Sequence, residues 1–129
     1  MIALLLAAAL HGQIHVLDGD TIVAGKEHIR LLAIDAPELP GHCRPGRQCA
    51  PGDPYASKAA LVAAVAAGPL TIRRFGKDDY GRTVGDVMVG GRSLACTQIA
   101  GGHAVYWQRY DVKARVAKEC GLAAPVRAK

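Results

Sequence analysis

The chain has 129 residues, half of them hydrophobic, only 5% of them aromatic, and a formal net charge of +5. This length supports one domain with one core, which the composition makes largely aliphatic. The longest apolar run, residues 1–10, is too short to cross a bilayer as a helix, which excludes a transmembrane anchor there. The positive charge favours a polyanionic partner such as a nucleic acid.

The apolar run at the start of the chain is typical of the hydrophobic region of a secretory signal peptide. We therefore interpret residues 1–11 as the remnant of a signal peptide, residues 12–121 as the folded domain and residues 122–129 as a basic tail. The alternative for the apolar run is a buried first strand or helix.

Strand patterns occur in five segments, which are residues 12–18, 20–25, 28–35, 69–75 and 83–89. The first three are close enough in sequence to form a meander, and Gly25 with Lys26 suits the hairpin turn between the second and third. Five short strands combined with helices predict a small α+β fold, a five-stranded OB-fold-like β-barrel with about three α-helices.

Helix signals occur in three segments, which are residues 54–67, 93–100 and 111–120. Asp53 is a good N-cap for the first helix, Pro54 suits its first position, and Gly68 ends it. The second helix is expected to stop at Gly101 and the third at Gly121.

Two acidic motifs carry hard oxygen ligands. Asp20 lies in Asp18-Gly19-Asp20-Thr21, and Asp35 ends the apolar run that follows Arg30. Carboxylates of this kind suit Ca²⁺, with backbone carbonyls and waters as further ligands. The alternative for the first motif is a plain turn, because Asp and Gly dominate turns.

Two arginines and one more carboxylate complete the pattern. Arg30 precedes a core strand, Arg82 follows a turn, and Glu38 lies in the loop after Pro37. A guanidinium matches phosphate oxygens with two hydrogen bonds, and Glu38 is placed to act on water. Together with a cation, these residues are what a metal-assisted phosphodiesterase needs. The alternative is that both arginines are solvated surface charges.

The four cysteines allow three pairings, of which we favour the local one, Cys43–Cys49 with Cys96–Cys120. Disulfides imply an oxidising compartment, so the protein is expected to be secreted or periplasmic. The alternatives are a zinc site at His42, Cys43 and Cys49, whose spacing fits no usual zinc pattern, and free thiols in the cytosol.

The chain resembles the staphylococcal nuclease (thermonuclease) family. The resemblance runs from about Gly12 to Trp107 and is carried by residues 16–21, 29–38 and 77–82, with a weaker match at residues 99–104. It implies an OB-type barrel and the following roles. Asp20, Asp35 and the carbonyl of Ala36 would bind Ca²⁺, Glu38 would orient or deprotonate the attacking water, Arg30 and Arg82 would hold the scissile phosphate, and Tyr80 would contact the nucleotide.

The sequence departs from that family pattern in three places. Ala36 replaces a threonine, and Asp79 stands where a phosphate-contacting lysine can occur. The base-stacking aromatics do not align cleanly, so Tyr106, Trp107 and Tyr110 are candidates. Stacking would suit single strands, whereas burial against the last helix is the alternative for these rings.

The combined expectation is a monomeric, Ca²⁺-dependent secreted nuclease for DNA and/or RNA. Single strands are favoured as substrate, and no stable membrane association is expected. The alternative is a catalytically weak nucleic-acid-binding module of the same OB-like fold, and a third possibility is a structural basic domain whose acidic cluster consists only of turns. A binding module would be expected to lack some of the five residues that carry the chemistry, and all five are present: Asp20, Arg30, Asp35, Glu38 and Arg82.

Overall fold

The computed structural model describes residues 6–122. The first half of the apolar run at residues 1–10 and most of the basic tail lie outside the described residues. The strands are β1 (Ala8–Ala9), β2 (Ile14–Asp18), β3 (Thr21–Ala24), β4 (Glu27–Leu31), β5 (Ile34–Asp35), β6 (Leu70–Lys77), β7 (Thr83–Val89), β8 (Arg92–Ser93) and β9 (Val105–Tyr106). The α-helices are α1 (Pro54–Val65), α2 (Leu94–Ala100) and α3 (Arg115–Cys120).

Across the described residues, the main sheet has seven strands in the order β1-β6-β7-β4-β3-β2, with β8 paired to β7. Its strands are antiparallel except for β4 and β7, which run parallel. An α+β fold with three α-helices and a meander of β2, β3 and β4 is confirmed. A five-stranded barrel is not confirmed. The main sheet contains two additional short strands, β1 and β8, and within the described residues its two edge strands do not pair with each other to close a barrel.

The chain between β4 and β5 turns where a continuous strand at residues 28–35 was predicted. Ala33 has a φ of 59°, a left-handed conformation that a non-glycine residue seldom adopts. This turn ends β4 at Leu31, and β5 pairs instead with β9 in a separate two-stranded sheet. A continuous strand would direct Arg30 and Asp35 to opposite faces of the sheet. Because the turn interrupts the strand, this restriction does not apply to them.

The start of the described chain forms an edge strand. Ala8 and Ala9 pair with Ile72 and Thr71 of β6, and both alanine side chains are exposed. Within the described residues, no helix is long and apolar enough to span a membrane.

Side-chain caps fix the helix starts. The Asp53 carboxylate accepts hydrogen bonds from the N–H groups of Tyr55 and Ala56 at α1, and the Ser93 hydroxyl caps α2 in the same way. The last helix is shorter than predicted: a 3₁₀ turn occupies Val112–Ala114, and only Arg115–Cys120 is α-helical. Asp111 still accepts hydrogen bonds from two N–H groups of α3 across this kink.

The core is aliphatic, as the composition predicted. Its fully buried members come from both sheets, from the β4–β5 turn and from all three helices: Ile22, Ile29, Leu31, Leu32, Ile34, Leu61, Ile72, Val87, Leu94 and Val116. Burial of these side chains is the main stabilising contribution that holds the helices on the sheet.

The structure contains the disulfides Cys43–Cys49 and Cys96–Cys120, with Cα–Cα distances of 6.2 and 5.2 Å. These are the pairs favoured from the sequence. The first closes a short loop after β5, and the second joins α2 to α3. Since both Cys43 and Cys49 are oxidised, the structure does not support a zinc site that uses their thiolates.

An ion pair between Glu27 of β4 and Arg74 of β6 predicts how the stability of the fold changes with pH. The carboxylate of Glu27 accepts hydrogen bonds from Arg74 at 2.7 and 2.8 Å and from the Thr83 hydroxyl at 2.8 Å. The bonds from Arg74 lower the pKa of Glu27 from its ordinary 4.5 to about 2. Because the folded-state pKa is the lower one, Glu27 stabilises the fold above pH 4.5, and this contribution is lost as the pH falls through 2.

We therefore expect Glu27→Gln to lower the free energy of unfolding at neutral pH and to reduce its loss between pH 4.5 and 2. Urea titrations at pH 7, 4.5 and 2.5 measure both changes. An equally steep acid loss in wild type and variant would contradict the assignment.

Candidate active site

A cleft of about 860 Å³ lies between the β2–β3 turn, β4, the loop after β5 and the β6–β7 hairpin. It brings together most of the residues that the sequence singled out. Its lining includes Asp20, Arg30, Glu38, Tyr80, Arg82 and Trp107. Asp35 is fully buried and is not part of this lining. It contacts Arg30 and Arg47, which both line the cleft.

Asp20 is held in place from both of its carboxylate oxygens. Oδ1 accepts a hydrogen bond from the Thr21 hydroxyl at 3.0 Å, and Oδ2 accepts one from the backbone N–H of Ala36 at 2.8 Å. Burial raises the pKa of Asp20 to about 6, an effect that Arg30 opposes and Asp18 increases. The carboxylate that was predicted to bind metal is therefore oriented before any ligand is present.

The turn that carries Asp20 rests on buried polar groups. The Gln98 side chain is completely buried and donates hydrogen bonds to the carbonyls of Gly19, at 2.8 Å, and Ser57, at 3.0 Å. The Ser57 hydroxyl donates to the carbonyl of His103 at 2.6 Å. Gln98 of α2 thus holds the β2–β3 turn in place, and Ser57 of α1 holds Gln98.

Gly19 leaves no room for a side chain at this turn. A Cβ there would collide with the Ser57 hydroxyl and lie 2.8 Å from the Ala36 side chain. We expect Gly19→Ala to destabilise the fold by about 1–3 kcal/mol, the usual range for overpacking. Thermal melts measure this loss. Gly68→Ala is the control, because its Cβ would meet only an ordinary contact with Val89 at 3.6 Å. Equal melting temperatures for the two variants would contradict the packing argument.

Arg30 joins the two acidic motifs. Its Nη2 lies 3.3 Å from Asp20 Oδ2 and 3.5 Å from Asp35 Oδ1. Its Nη1 donates hydrogen bonds to the carbonyls of Ile34, at 2.8 Å, and Leu31, at 3.2 Å. The turn at Ala33 makes this arrangement possible, because it folds Asp35 back onto the arginine from which strand alternation would have separated it.

The donor set around Arg30 fits a hard cation. The carboxylates of Asp20 and Asp35 both face Nη2 of the charged Arg30 guanidinium. Ala36, whose carbonyl is the third oxygen considered, follows Asp35 in the chain. Among residues 6–122, no three His, Cys, Asp or Glu side chains form a metal-binding group. With two carboxylates and otherwise neutral oxygens, the set suits Ca²⁺ better than zinc or copper, which prefer nitrogen and sulfur.

The β6–β7 hairpin supplies Arg82 and Tyr80. The Arg82 guanidinium lies 5.4 Å from the centre of the Tyr80 ring, and its Nε donates to Asp78 Oδ2 at 2.6 Å. The other carboxylate oxygen of Asp78 accepts from the N–H groups of both Tyr80 and Arg82. Asp78 therefore shapes the hairpin and holds the guanidinium at the cleft.

Sequence reasoning missed two arginines, Arg44 and Arg47, which lie in the loop closed by Cys43–Cys49. Arg47 Nη1 donates to Glu38 Oε1 at 2.7 Å, and Arg47 Nη2 lies 3.3 Å from Asp35 Oδ1. Arg44 donates to the Tyr80 hydroxyl at 2.6 Å. The available signal was the favoured pairing Cys43–Cys49, which closes a loop shortly after Glu38 in the sequence.

The three aromatic candidates occupy different environments. Tyr106 is only 6% exposed, and its hydroxyl donates to Asp111 at 2.6 Å; burial and this bond raise its pKa to about 12. Trp107 lines the cleft and makes an edge contact with the exposed ring of Tyr110. Of these two adjacent residues, Trp107 lines the cleft and Tyr106 does not.

Comparison with known proteins identifies the family of this chain. The model of the family described as staphylococcal nuclease homologue matches residues 28–129. Similar curated proteins include three from Oryza sativa subsp. japonica, each named a probable staphylococcal-like nuclease. CAN4 is 34% identical over 100 residues, CAN2 is 30% identical over 101, and CAN1 is 30% identical over 116.

The three alignments cover 78%, 77% and 88% of this chain, respectively. They cover only 18%, 24% and 31% of the relatives themselves, so the chain spans less than a third of the length of these proteins.

Proposed function

Because this chain belongs to the staphylococcal nuclease homologue family, we propose that it is a nuclease that hydrolyses phosphodiester bonds with the help of Ca²⁺. One observation carries the proposal: a single guanidinium, that of Arg30, contacts both Asp20 and Asp35 at the edge of a cleft that also contains Glu38. A structural basic domain would not be expected to gather this cluster together with Glu38 and Arg82 in one cleft.

The residues of the cleft divide the chemistry between them. Arg30 and Arg82 bind the scissile phosphate and stabilise the charge that collects on its oxygens in the transition state. Glu38 positions the attacking water and accepts its proton. Asp20, Asp35 and the Ala36 carbonyl are the residues that would hold Ca²⁺, which when bound neutralises phosphate charge as a Lewis acid.

The proposed substrate is DNA and/or RNA, with single strands favoured, and the proposed state of the protein is a monomer. The net charge of +5 favours association with a polyanion. Tyr80, which is 64% exposed, and Trp107 both line the cleft, and we assign to these rings the stacking of unpaired bases. Stacking of this kind tolerates any base and requires it to be unpaired.

The test is hydrolysis of labelled single-stranded DNA and RNA by the purified protein, in Ca²⁺ and in excess chelator. We expect products only in Ca²⁺. Undiminished hydrolysis in chelator would contradict the role of the cation. Binding of both nucleic acids without hydrolysis in Ca²⁺ would instead identify the protein as a binding module.

We also propose that the protein is secreted or periplasmic. Two disulfides support this, since such bonds persist in oxidising compartments. Peptide mapping without reduction, on protein recovered from its native host, should yield the Cys43–Cys49 and Cys96–Cys120 peptides. Four thiols that alkylate without prior reduction would contradict this localisation.

A further inference from the structure

The loop of residues 43–49, closed by the Cys43–Cys49 disulfide and named here the disulfide loop, places two guanidinium groups in the cleft. Arg44 lies 4.9 Å from the centre of the Tyr80 ring, on the side of the β6–β7 hairpin. Arg47 lies on the acidic side and contacts both Asp35 and Glu38. The disulfide loop therefore reaches across the cleft from its rim.

The contacts of Arg47 conflict with the proposed roles of its partners. Glu38 Oε1 accepts a hydrogen bond from Arg47 at 2.7 Å, so part of this carboxylate already has a partner other than the attacking water. A divalent cation at Asp35 would also face the positive charge of Arg47, whose Nη2 is 3.3 Å from Asp35 Oδ1. Arg47 therefore competes for Glu38 with the attacking water and for Asp35 with a cation.

The Arg47 side chain is more exposed than that of Arg30 and, among the described residues, makes no side-chain hydrogen bond to the backbone. The Arg30 side chain is 12% exposed and is fixed by two backbone carbonyls, whereas that of Arg47 is 37% exposed and its partners are the two site carboxylates. The disulfide restricts the backbone of the loop, so a rotated Arg47 side chain stays at the cleft. The strongest acceptors that a nucleic acid strand brings there are its phosphate oxygens.

We propose that Arg47 is a substrate-binding residue that exchanges the carboxylates of Glu38 and Asp35 for a phosphate of the nucleic acid when a cation binds. Because Arg30 and Arg82 bind the scissile phosphate, we assign to Arg47 a neighbouring phosphate of the same strand. This inference rests on the proposed function, and it adds a role for the disulfide, which keeps the third guanidinium within reach of the strand.

The proposal predicts opposite changes in two affinities for Arg47→Ala. Ca²⁺ should bind the free protein several-fold more tightly, because a competing positive charge is gone. A single-stranded oligonucleotide should bind about tenfold more weakly in the presence of Ca²⁺, because a charge-assisted hydrogen bond to phosphate is lost. A residue that only supports the loop would weaken both affinities when removed.

The experiment measures Ca²⁺ binding by calorimetry and binding of a labelled phosphorothioate oligonucleotide by fluorescence anisotropy. The phosphorothioate backbone keeps the phosphate charge and resists hydrolysis. Arg92→Ala is the matched control: it removes the same charge from an exposed arginine of β8 that does not line this cleft, and it should leave the affinity for Ca²⁺ unchanged. Arg47→Lys keeps the charge without the planar fork, so its affinity for Ca²⁺ should stay near that of the wild type.

Tighter Ca²⁺ binding together with weaker oligonucleotide binding in Arg47→Ala supports the proposal. Weakening of both affinities, or an unchanged affinity for the oligonucleotide, overturns it. Both readouts are independent of turnover. A wild type that binds both ligands without hydrolysing normal DNA or RNA would therefore contradict the proposed function and still decide the role of Arg47.

Discussion

Replacement of Glu38 by glutamine is expected to reduce the rate of phosphodiester hydrolysis by roughly 10²-fold or more, the scale on which general bases contribute. The amide has nearly the same shape as the carboxylate but cannot accept the proton of the attacking water. It also loses the charged contact with Arg47 at 2.7 Å. The effect should appear in kcat, measured on a single-stranded substrate at saturating Ca²⁺.

Glu119→Gln is the matched control for this prediction, because it makes the same chemical change on α3, outside the cleft. Its kcat should equal that of the wild type. If Glu38→Gln retained wild-type kcat, the proton acceptor would have to be another group, and the role assigned to Glu38 would be wrong.

Substitution of Arg30 is expected to separate catalysis from stability. Arg30→Lys keeps a positive charge near Asp20 and Asp35 but loses the planar fork, so we expect hydrolysis to fall by about 10²-fold with a modest loss of stability. Arg30→Ala leaves the two buried carboxylates without their shared partner. Breaking a buried pair in this way costs about 3–5 kcal/mol, and added Ca²⁺ should restore part of it.

Arg115 provides the comparison for Arg30. Its Nε lies 3.1 Å from the buried carboxylate of Asp86, and neither residue lines the cleft. Arg115→Ala should destabilise the protein, while Arg115→Lys should keep the wild-type kcat at a temperature where the protein is folded. Equal loss of activity in the lysine variants of Arg30 and Arg115 would show that activity follows stability alone. Urea unfolding and initial rates on the same preparations distinguish these outcomes.

The elements that could be predicted from the sequence are those with strong local signals. Asp53 caps α1 because a short oxygen-bearing side chain accepts hydrogen bonds from the first N–H groups. Gly121 ends α3 in the left-handed conformation that glycine adopts without strain. The five predicted strands have hydrophobic patterns long enough to detect, and all five segments contain strand.

The missed features depend on contacts between distant parts of the chain. Strands of two residues, such as β5 and β9, have no periodicity, and they form because their backbones meet across 70 positions of sequence. In a continuous strand, Arg30 and Asp35 would point to opposite faces of the sheet. The left-handed turn at Ala33 interrupts the strand and removes this constraint. Arg47 could not be assigned because its role depends on where the disulfide loop lies.

A crystal structure with Ca²⁺ and a phosphorothioate oligonucleotide tests the central claim most directly. We expect Ca²⁺ at about 2.3–2.6 Å from oxygens of Asp20 and Asp35, a phosphate between Arg30 and Arg82, and Glu38 released from Arg47. A cation bound away from both carboxylates, or a strand that lies outside the cleft, would contradict it.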